Sequence, residues 1–259
     1  MNLEAGMKLA GKVALVTGAA HRVGRAVALA LAREGADLVV HYGRSAEAAR
    51  ECAQDIEALG RRAVLAQADM SKWGAAMALG QSALDAYGRV DILVNSASSY
   101  VAAEYAATSE AQFDEAMDVN CKGPFALSRV IGQAMMARPD LGDGDYGAII
   151  NIVDEGAFFP SRTYTAHAVS KAALLALTRS QTLIFGPKVR VNAICPGPVL
   201  KPPAYSEERW QGLRRTNPLG ALGTAEQVGE VVLFLLTGPQ FINGDCIMLE
   251  GGRMWKREF

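Results

Sequence analysis

Short apolar runs and longer amphipathic stretches alternate along almost the whole chain, a pattern that buries a parallel sheet between two layers of helices. The apolar runs predict strands over residues 12–17, 37–42, 63–67, 91–95, 147–153, 188–194 and 246–249. Between them, apolar positions recur at helical spacing over 23–34, 46–59, 72–87, 110–136, 164–185 and 225–236. Gly35, Gly60 and Gly88 stand where three of these helices should end, because glycine accepts the left-handed backbone of a C-terminal cap. The expected fold class is α/β: a doubly wound, Rossmann-type parallel sheet of seven strands with helices on both faces. Residues 196–223 are rich in proline and glycine and lack periodicity. That segment is too long for a plain connection and is expected to form a loop over a ligand. Without repeats, low-complexity tracts or linkers, the chain reads as one domain over 1–259, with halves meeting near residues 145 and 146.

Half of the 259 residues are hydrophobic and a fifth are charged, which suffices for one sizeable core. The 26 basic and 27 acidic residues leave a net charge of -1. Neither a nucleic-acid surface nor electrostatic attachment to a membrane follows from that balance, and the expected partner is a small molecule. Cys52, Cys121, Cys195 and Cys246 stand singly, without C-x-x-C spacing. This fits reduced thiols and speaks against a zinc site or a disulfide framework, so no metal is expected. Residues 1–10 lack the apolar core of a signal peptide, and no segment offers the roughly 18 uncharged apolar residues of a membrane span. A cytoplasmic location is the expectation.

The first chemical signal follows the first strand, where Thr17-Gly18-Ala19-Ala20-His21-Arg22-Val23-Gly24 leads into a helix. A glycine-bearing turn at that place brings backbone N–H groups close to a pyrophosphate at the helix N-terminus. About 20 residues further on, an acidic residue would hold the ribose 2′-hydroxyl of NAD. The chain instead reads His41-Tyr42-Gly43-Arg44-Ser45. Arg44 can pair with a 2′-phosphate and Ser45 can donate a hydroxyl hydrogen bond, so the charge favours NADPH.

These motifs, in this order, identify a resemblance to the short-chain dehydrogenase/reductases, and within them to the pteridine reductases. That group replaces the middle glycine of T-G-x-x-x-G-x-G by arginine, as Arg22 does, and follows its second strand with H-Y-x-R-S. It also carries N-x-A-S-S and an aromatic after the fourth strand, here Asn95-Ser96-Ala97-Ser98-Ser99-Tyr100. The resemblance extends from about Lys12 to Gly252, through Asp69-Met70, Val119-Asn120 and Cys195-Pro196-Gly197-Pro198-Val199. It implies cofactor contacts at Gly18, Arg22, Val23, Gly24, Tyr42, Arg44, Ser45, Asp69, Met70, Asn95, Ala97, Ser98, Lys171, Pro196, Gly197 and Val199, with adenine seated at Asp69-Met70. Arg22 would face both the phosphates and the substrate, with Ser98 beside it. Tyr100 would stack a flat substrate against the nicotinamide. Asn120 would be a helix-breaking asparagine whose backbone carbonyl holds a water near the catalytic lysine.

The fifth strand runs into Asp154, and the next helix carries Tyr164-Thr165-Ala166-His167-Ala168-Val169-Ser170-Lys171. Most short-chain relatives place serine at Asp154, whereas pteridine reductases place aspartate. The tyrosine that normally donates the proton, four residues before Lys171, is His167 here. Three readings compete. In the first, His167 is the acid, with Lys171 one turn away on the same helix face and Asp154 supporting the imidazolium. An ordinary imidazole titrates near 6.5, so activity would then fall above roughly pH 6.5 to 7.5. In the second, Tyr164 takes over, because 164, 167 and 171 share i, i+3, i+7 spacing, although it lies about 4.5 Å back along the axis. In the third, the site has changed purpose and Lys171 only holds the nicotinamide ribose. Asp154 could pass a proton toward a pterin nitrogen, or could merely cap a helix or loop.

Further along, Val199-Leu200-Lys201-Pro202-Pro203-Ala204-Tyr205 precedes a capping serine and a short helix bearing Trp210. Tyr205 and Trp210 are candidates to close on a flat ligand, and packing of the short helix would account for Trp210 equally well. The helices at 110–136 and 164–185 carry more apolar surface than one sheet face needs, and the resembled family pairs such helices into tetramers. The tail at 251–259 could reach a neighbouring subunit or be disordered. The reading is therefore an NADPH-dependent reductase of a conjugated C=N or C=C bond in a flat heterocycle such as a dihydropterin. A general carbonyl or 3-oxoacyl reductase and a non-catalytic NADPH-binding protein are the alternatives.

Overall fold

The computed structural model describes residues 7–142 and 145–256. Most of residues 1–10 and the end of the tail, Arg257, Glu258 and Phe259, lie outside the described residues. Seven parallel strands form one sheet in the order β3-β2-β1-β4-β5-β6-β7. They are β1 (Val13–Val16), β2 (Asp37–Tyr42), β3 (Ala63–Gln67), β4 (Ile92–Asn95), β5 (Gly147–Ile152), β6 (Val189–Pro196) and β7 (Cys246–Leu249). The helices are α1 (Arg22–Arg33), α2 (Ala46–Ala58), α3 (Trp73–Tyr87), α4 (Glu110–Met117), α5 (Gly123–Ala137), α6 (Thr165–Phe185), α7 (Glu207–Gly212) and α8 (Ala225–Thr237). Strand order reverses between β1 and β4, and a doubly wound sheet opens its ligand crevice at the carboxyl ends of the strands at such a point.

Side chains of the strands feed two large cores and a smaller one formed by Val153, Leu174, Leu175, Ala193 and Cys195. Ala14 and Val16 of β1 pack with Val27, Leu31, Ile56 and Val232 of α1, α2 and α8. Val13 and Leu15 face the other way, toward Leu79, Leu127, Ile131 and Met135 of α3 and α5. Both faces are covered over the central strands β1, β4, β5 and β6, which are buried along their whole length, whereas the edge strand β3 is only partly buried. Gly35, Gly60 and Gly88 adopt φ of +98°, +75° and +70°, as helix-closing glycines should.

Two elements differ from the sequence expectation. The helix expected over 110–136 is split by a π-turn at Asp118–Lys122, and the cause is Asn120, whose side chain turns inward to the Ser99 peptide. The helix expected from 164 begins one residue later: Tyr164 precedes it with φ −138° and ψ 34°. Val169, Leu183 and Ile184 of α6 stay exposed, as do Phe113 and Phe125 of α4 and α5. No helix among the described residues is long and apolar enough to cross a membrane.

Candidate functional site

A cleft of about 1080 Å³ runs across the carboxyl ends of the strands. At its first wall the turn after β1 is drawn tight by close approach of backbone. Gly18 has φ +67°, and a Cβ there would meet Ala97 at 3.0 Å; one on Gly24 would strike the Gly18 carbonyl at 2.2 Å. Arg22 adopts a left-handed φ of +58° in the place glycine usually holds, a strain of about 1–2 kcal/mol for a residue with a side chain. The Gly18 N–H donates to His41 Nδ1 at 3.1 Å, while His41 Nε2 lies 3.1 Å from the Ala68 carbonyl, and burial pushes the His41 pKa down. Thr17 Oγ1 accepts from the N–H groups of Ser96 and Ala97 at 2.9 and 3.0 Å. This ties the turn to the end of β4.

The head of α1 has no side-chain cap, and the first-turn N–H groups of a helix have no intrahelical partner. Facing the cleft beside Arg22, Val23 and Gly24, they suit a dinucleotide pyrophosphate. At the far corner Tyr42, Arg44 and Ser45 line the same cleft; Arg44 is exposed and Ser45 leaves its hydroxyl uncommitted at the head of α2. Asp69 and Met70 line the adjoining wall. Hydrogen bonds from the Ser71 hydroxyl and N–H hold the Asp69 carboxyl below its usual range, with Lys72 and Arg44 adding charge. Ala97, Ser98, Pro196, Gly197 and Val199 complete the cofactor side. The residues present therefore fit a dinucleotide.

Asp154, His167 and Lys171 come together at the other end of the cleft. Lys171 is buried and donates from Nζ to the Ile152 carbonyl at 2.8 Å; burial pushes it down to about 8 against the pull of Asp154. His167 is 3% exposed, with Nδ1 at 2.9 Å from the Ser99 carbonyl oxygen and Nε2 at 3.8 Å from Asp154 Oδ1. Nε2 is buried and has no hydrogen-bond partner. Asp154 also caps a short turn by accepting the Gly156 N–H at 2.7 Å, so the capping role anticipated as an alternative is present beside the contact with His167. Burial raises the Asp154 pKa, but His167, the Gly156 N–H and Lys171 outweigh it and hold the carboxyl low.

Tyr100 stacks on Tyr164 with ring centroids 4.5 Å apart and presents its edge to His167 at 4.6 Å. Burial, with Asp154 and the two neighbouring tyrosines, pushes its phenol pKa up. Tyr164 is the N-cap residue of α6 and lines the cleft together with His167 and Lys171. Tyr205 and Trp210 reach the mouth from the loop and α7, together with Arg209, whose guanidinium lies 3.8 Å over the Tyr205 ring. Arg22 donates to the Lys201 carbonyl of that loop at 3.3 Å, joining the cofactor turn to the lid.

Asn95 and Asn120 do not line the cleft. Asn95 donates to Asn151 at 2.8 Å beneath the sheet end, and Asn120 is fully buried against Ser99 and Ser170. Sequence reasoning missed Glu155 and Arg253, an ion pair on the cleft wall whose members lie 98 residues apart and share no motif. Burial pushes Glu155 up to about 7, Arg253 opposes, and Asp154 and Glu250 add to the rise. It also missed the bridging role of His41, although the H-Y-x-R-S run contains it.

A crevice at the strand-order reversal, an uncapped helix head and a buried lysine beside an acid define a dinucleotide-dependent oxidoreductase domain. A family model described as enoyl-(acyl carrier protein) reductase matches residues 18–253. The hydroxynaphthalene reductase-like protein Arp2 of Metarhizium brunneum is 34% identical over 267 residues, covering 96% of this chain and 97% of its own. A short chain dehydrogenase from Burkholderia cenocepacia, solved with NADP, superposes with a TM-score of 0.86 at 32% identity, over 95% of this chain and 99% of that one. FolM alternative dihydrofolate reductase 1 from Brucella canis, also solved with NADP, has a TM-score of 0.89 at 29% identity, over 97% of each chain. The chain belongs to the short-chain dehydrogenase/reductase family and is a nicotinamide-dependent oxidoreductase.

Proposed function

We infer that this protein is an NADPH-dependent reductase of a conjugated C=N or C=C bond in a flat heterocycle, a dihydropterin or close analogue. One observation carries the reading: at the positions where the family resemblance implies serine and tyrosine this chain has Asp154 and His167, and the buried Nε2 of His167 faces Asp154 at 3.8 Å without a hydrogen-bond partner. A ketone reductase relies on a well-placed acid at the carbonyl oxygen. A conjugated C=N bond can deliver its electrons to a remote heteroatom, and is less dependent on a phenolic acid. The stacked Tyr100 and Tyr164 suit a planar ligand. The FolM relative, by its name, reduces dihydrofolate, which also contains such a ring.

The preference for the phosphorylated nucleotide is supported by the exposed Arg44 guanidinium and the free Ser45 hydroxyl, with no carboxylate at the end of β2. When bound, the nicotinamide supplies a hydride equivalent to the substrate. Lys171 holds the nicotinamide ribose, Asp69 and Met70 seat the adenine, and Pro196, Gly197 and Val199 border the nicotinamide end. Arg22 faces phosphate on one side and substrate on the other; Ser98, Tyr100, Tyr164, Tyr205 and Trp210 enclose the ring. His167, assisted by Asp154, supplies the proton. The exposed apolar residues of α4, α5 and α6 are read as contacts of a homotetramer.

The test is a steady-state comparison of a dihydropterin with a simple ketone, in the wild type and in His167→Tyr. The wild type is expected to oxidise NADPH with the dihydropterin at least tenfold faster than with the ketone, a preference that His167→Tyr narrows. Turnover of the ketone alone would establish a carbonyl reductase instead. Tight cofactor binding without oxidation by any imine, enone or ketone would establish a binding protein. The Arp2 relative favours a fused aromatic carbonyl compound as the second substrate class to assay.

A further inference from the structure

The His167 ring is bracketed by two acceptors of different character. Nδ1 lies 2.9 Å from the Ser99 carbonyl oxygen, an atom that only accepts, so Nδ1 must carry a hydrogen. The Ser99 peptide is held from both sides: Asn120 Oδ1 accepts its N–H at 2.8 Å and Asn120 Nδ2 donates to its carbonyl at 3.0 Å. Asn120 Nδ2 donates again to Ser170 Oγ at 2.9 Å, and that hydroxyl donates to the His167 carbonyl at 2.7 Å. The approach of Asn120 Nδ2 to His167 Nδ1 at 3.4 Å sets two hydrogen-bearing nitrogens side by side and does not orient the ring. Nε2, in contrast, is buried without a hydrogen-bond partner, 3.8 Å from Asp154 Oδ1.

We propose that the Ser99 carbonyl, clamped by Asn120, fixes one hydrogen of His167 on Nδ1, so that the only mobile proton of the ring resides at Nε2, the nitrogen that faces Asp154. The proposal rests on the reading of His167 as the acid. In the transfer the Nε2–H bond breaks and its electron pair stays on nitrogen. The proton passes to a nitrogen or oxygen of the substrate as that accepts hydride, and neutral imidazole with its Nδ1–H remains. Asp154, whose side chain keeps 32% of its exposure, returns a proton from solvent to Nε2. Asn120 is thus a positioning residue acting through Ser99. His41 provides the opposite case within the same molecule: its Nδ1 accepts from Gly18 and its Nε2 donates to Ala68.

The experiment is two-bond nitrogen-15 to proton correlation on the full chain labelled at histidine, from roughly pH 5 to 9, with resonances assigned through His21→Gln and His167→Gln. Deprotonated His167 is expected to keep its hydrogen on Nδ1 with a bare Nε2, the reverse of His41. A hydrogen on Nε2, a mixture of the two forms, or a ring doubly protonated throughout would overturn the proposal. Asn120→Asp retains the acceptor for the Ser99 N–H and removes the donor. It is expected to mix the two ring forms and lower dihydropterin turnover about tenfold at unchanged NADPH affinity; an unmixed Nδ1–H form would remove Asn120 from the account. The wild-type spectrum needs no substrate, so failure of the dihydropterin assay and failure of the ring assignment are separate results.

Discussion

Arg44 and Lys171 sit at opposite ends of the cleft and use positive charge differently. Arg44 is exposed and permanently charged, which suits the proposed contact with a 2′-phosphate. Arg44→Ala is expected to weaken NADPH binding about 10- to 100-fold and to leave NADH binding within about twofold, as read by cofactor fluorescence titration. Lys171 is buried, which favours the neutral amine and brings its pKa down to about 8. On the proposed role of Lys171 at the nicotinamide ribose, the cation is complete well below that value and is lost as the pH climbs through it. NADPH affinity should therefore fall about tenfold between pH 7 and pH 9, and calorimetry at the two pH values checks it. Because this is a binding measurement, it stands apart from any loss of rate that follows the imidazole.

At the scale of the element, the strand–turn–helix at the start of the chain shows how little room the cofactor side has. Gly24→Ala would drive a methyl group against the Gly18 carbonyl at 2.2 Å, and both partners are backbone. The turn has to shift; the expected cost is about 1–3 kcal/mol of stability and at least a tenfold loss in NADPH affinity, measured by thermal unfolding and titration. Gly18 and Gly24 could be picked out from their place after the first strand, and Arg22 from the family resemblance. The left-handed backbone of Arg22 could be inferred from the glycine it replaces, but its bond to the Lys201 carbonyl could not, because 179 residues separate the partners. The π-turn at Asp118–Lys122 is a similar case: 110–136 has unbroken helical periodicity, and only the distant Ser99 peptide explains why Asn120 bends it. Elements follow from local pattern, and interruptions follow from partners.

On the scale of the whole molecule, the Glu155–Arg253 pair joins the loop after β5 to the C-terminal segment across the cleft wall. Burial raises Glu155 from an ordinary 4.5 to about 7, so the folded state binds this proton more tightly than the unfolded state. The stability this contributes is complete below pH 4.5 and is lost as the pH rises to about 7. Thermal midpoints between pH 5 and 7.5 should accordingly fall less steeply in Glu155→Gln than in the wild type, and parallel curves would contradict the assignment. The seven strands and the doubly wound order were legible because a parallel sheet covered on both faces demands continuous apolar runs separated by amphipathic helices, as 13–16 and 92–94 show. The glycine-bearing turn after β1 and the Arg44-Ser45 pair after β2 were legible because their chemistry is tied to strand ends, whereas Asp154, His167 and Lys171 were picked out through the family resemblance. The sequence by itself thus determined the layered α/β architecture and the glycine-bearing turn at one end of the cleft, since both depend on periodicity and short-range spacing. Only the tertiary structure decided that Tyr164 is the N-cap residue of its helix, that Glu155 meets Arg253, and that Nδ1 of His167 is committed to Ser99 while Nε2 faces Asp154. Those contacts join residues from separate elements, and their distances follow from packing, which no local pattern records.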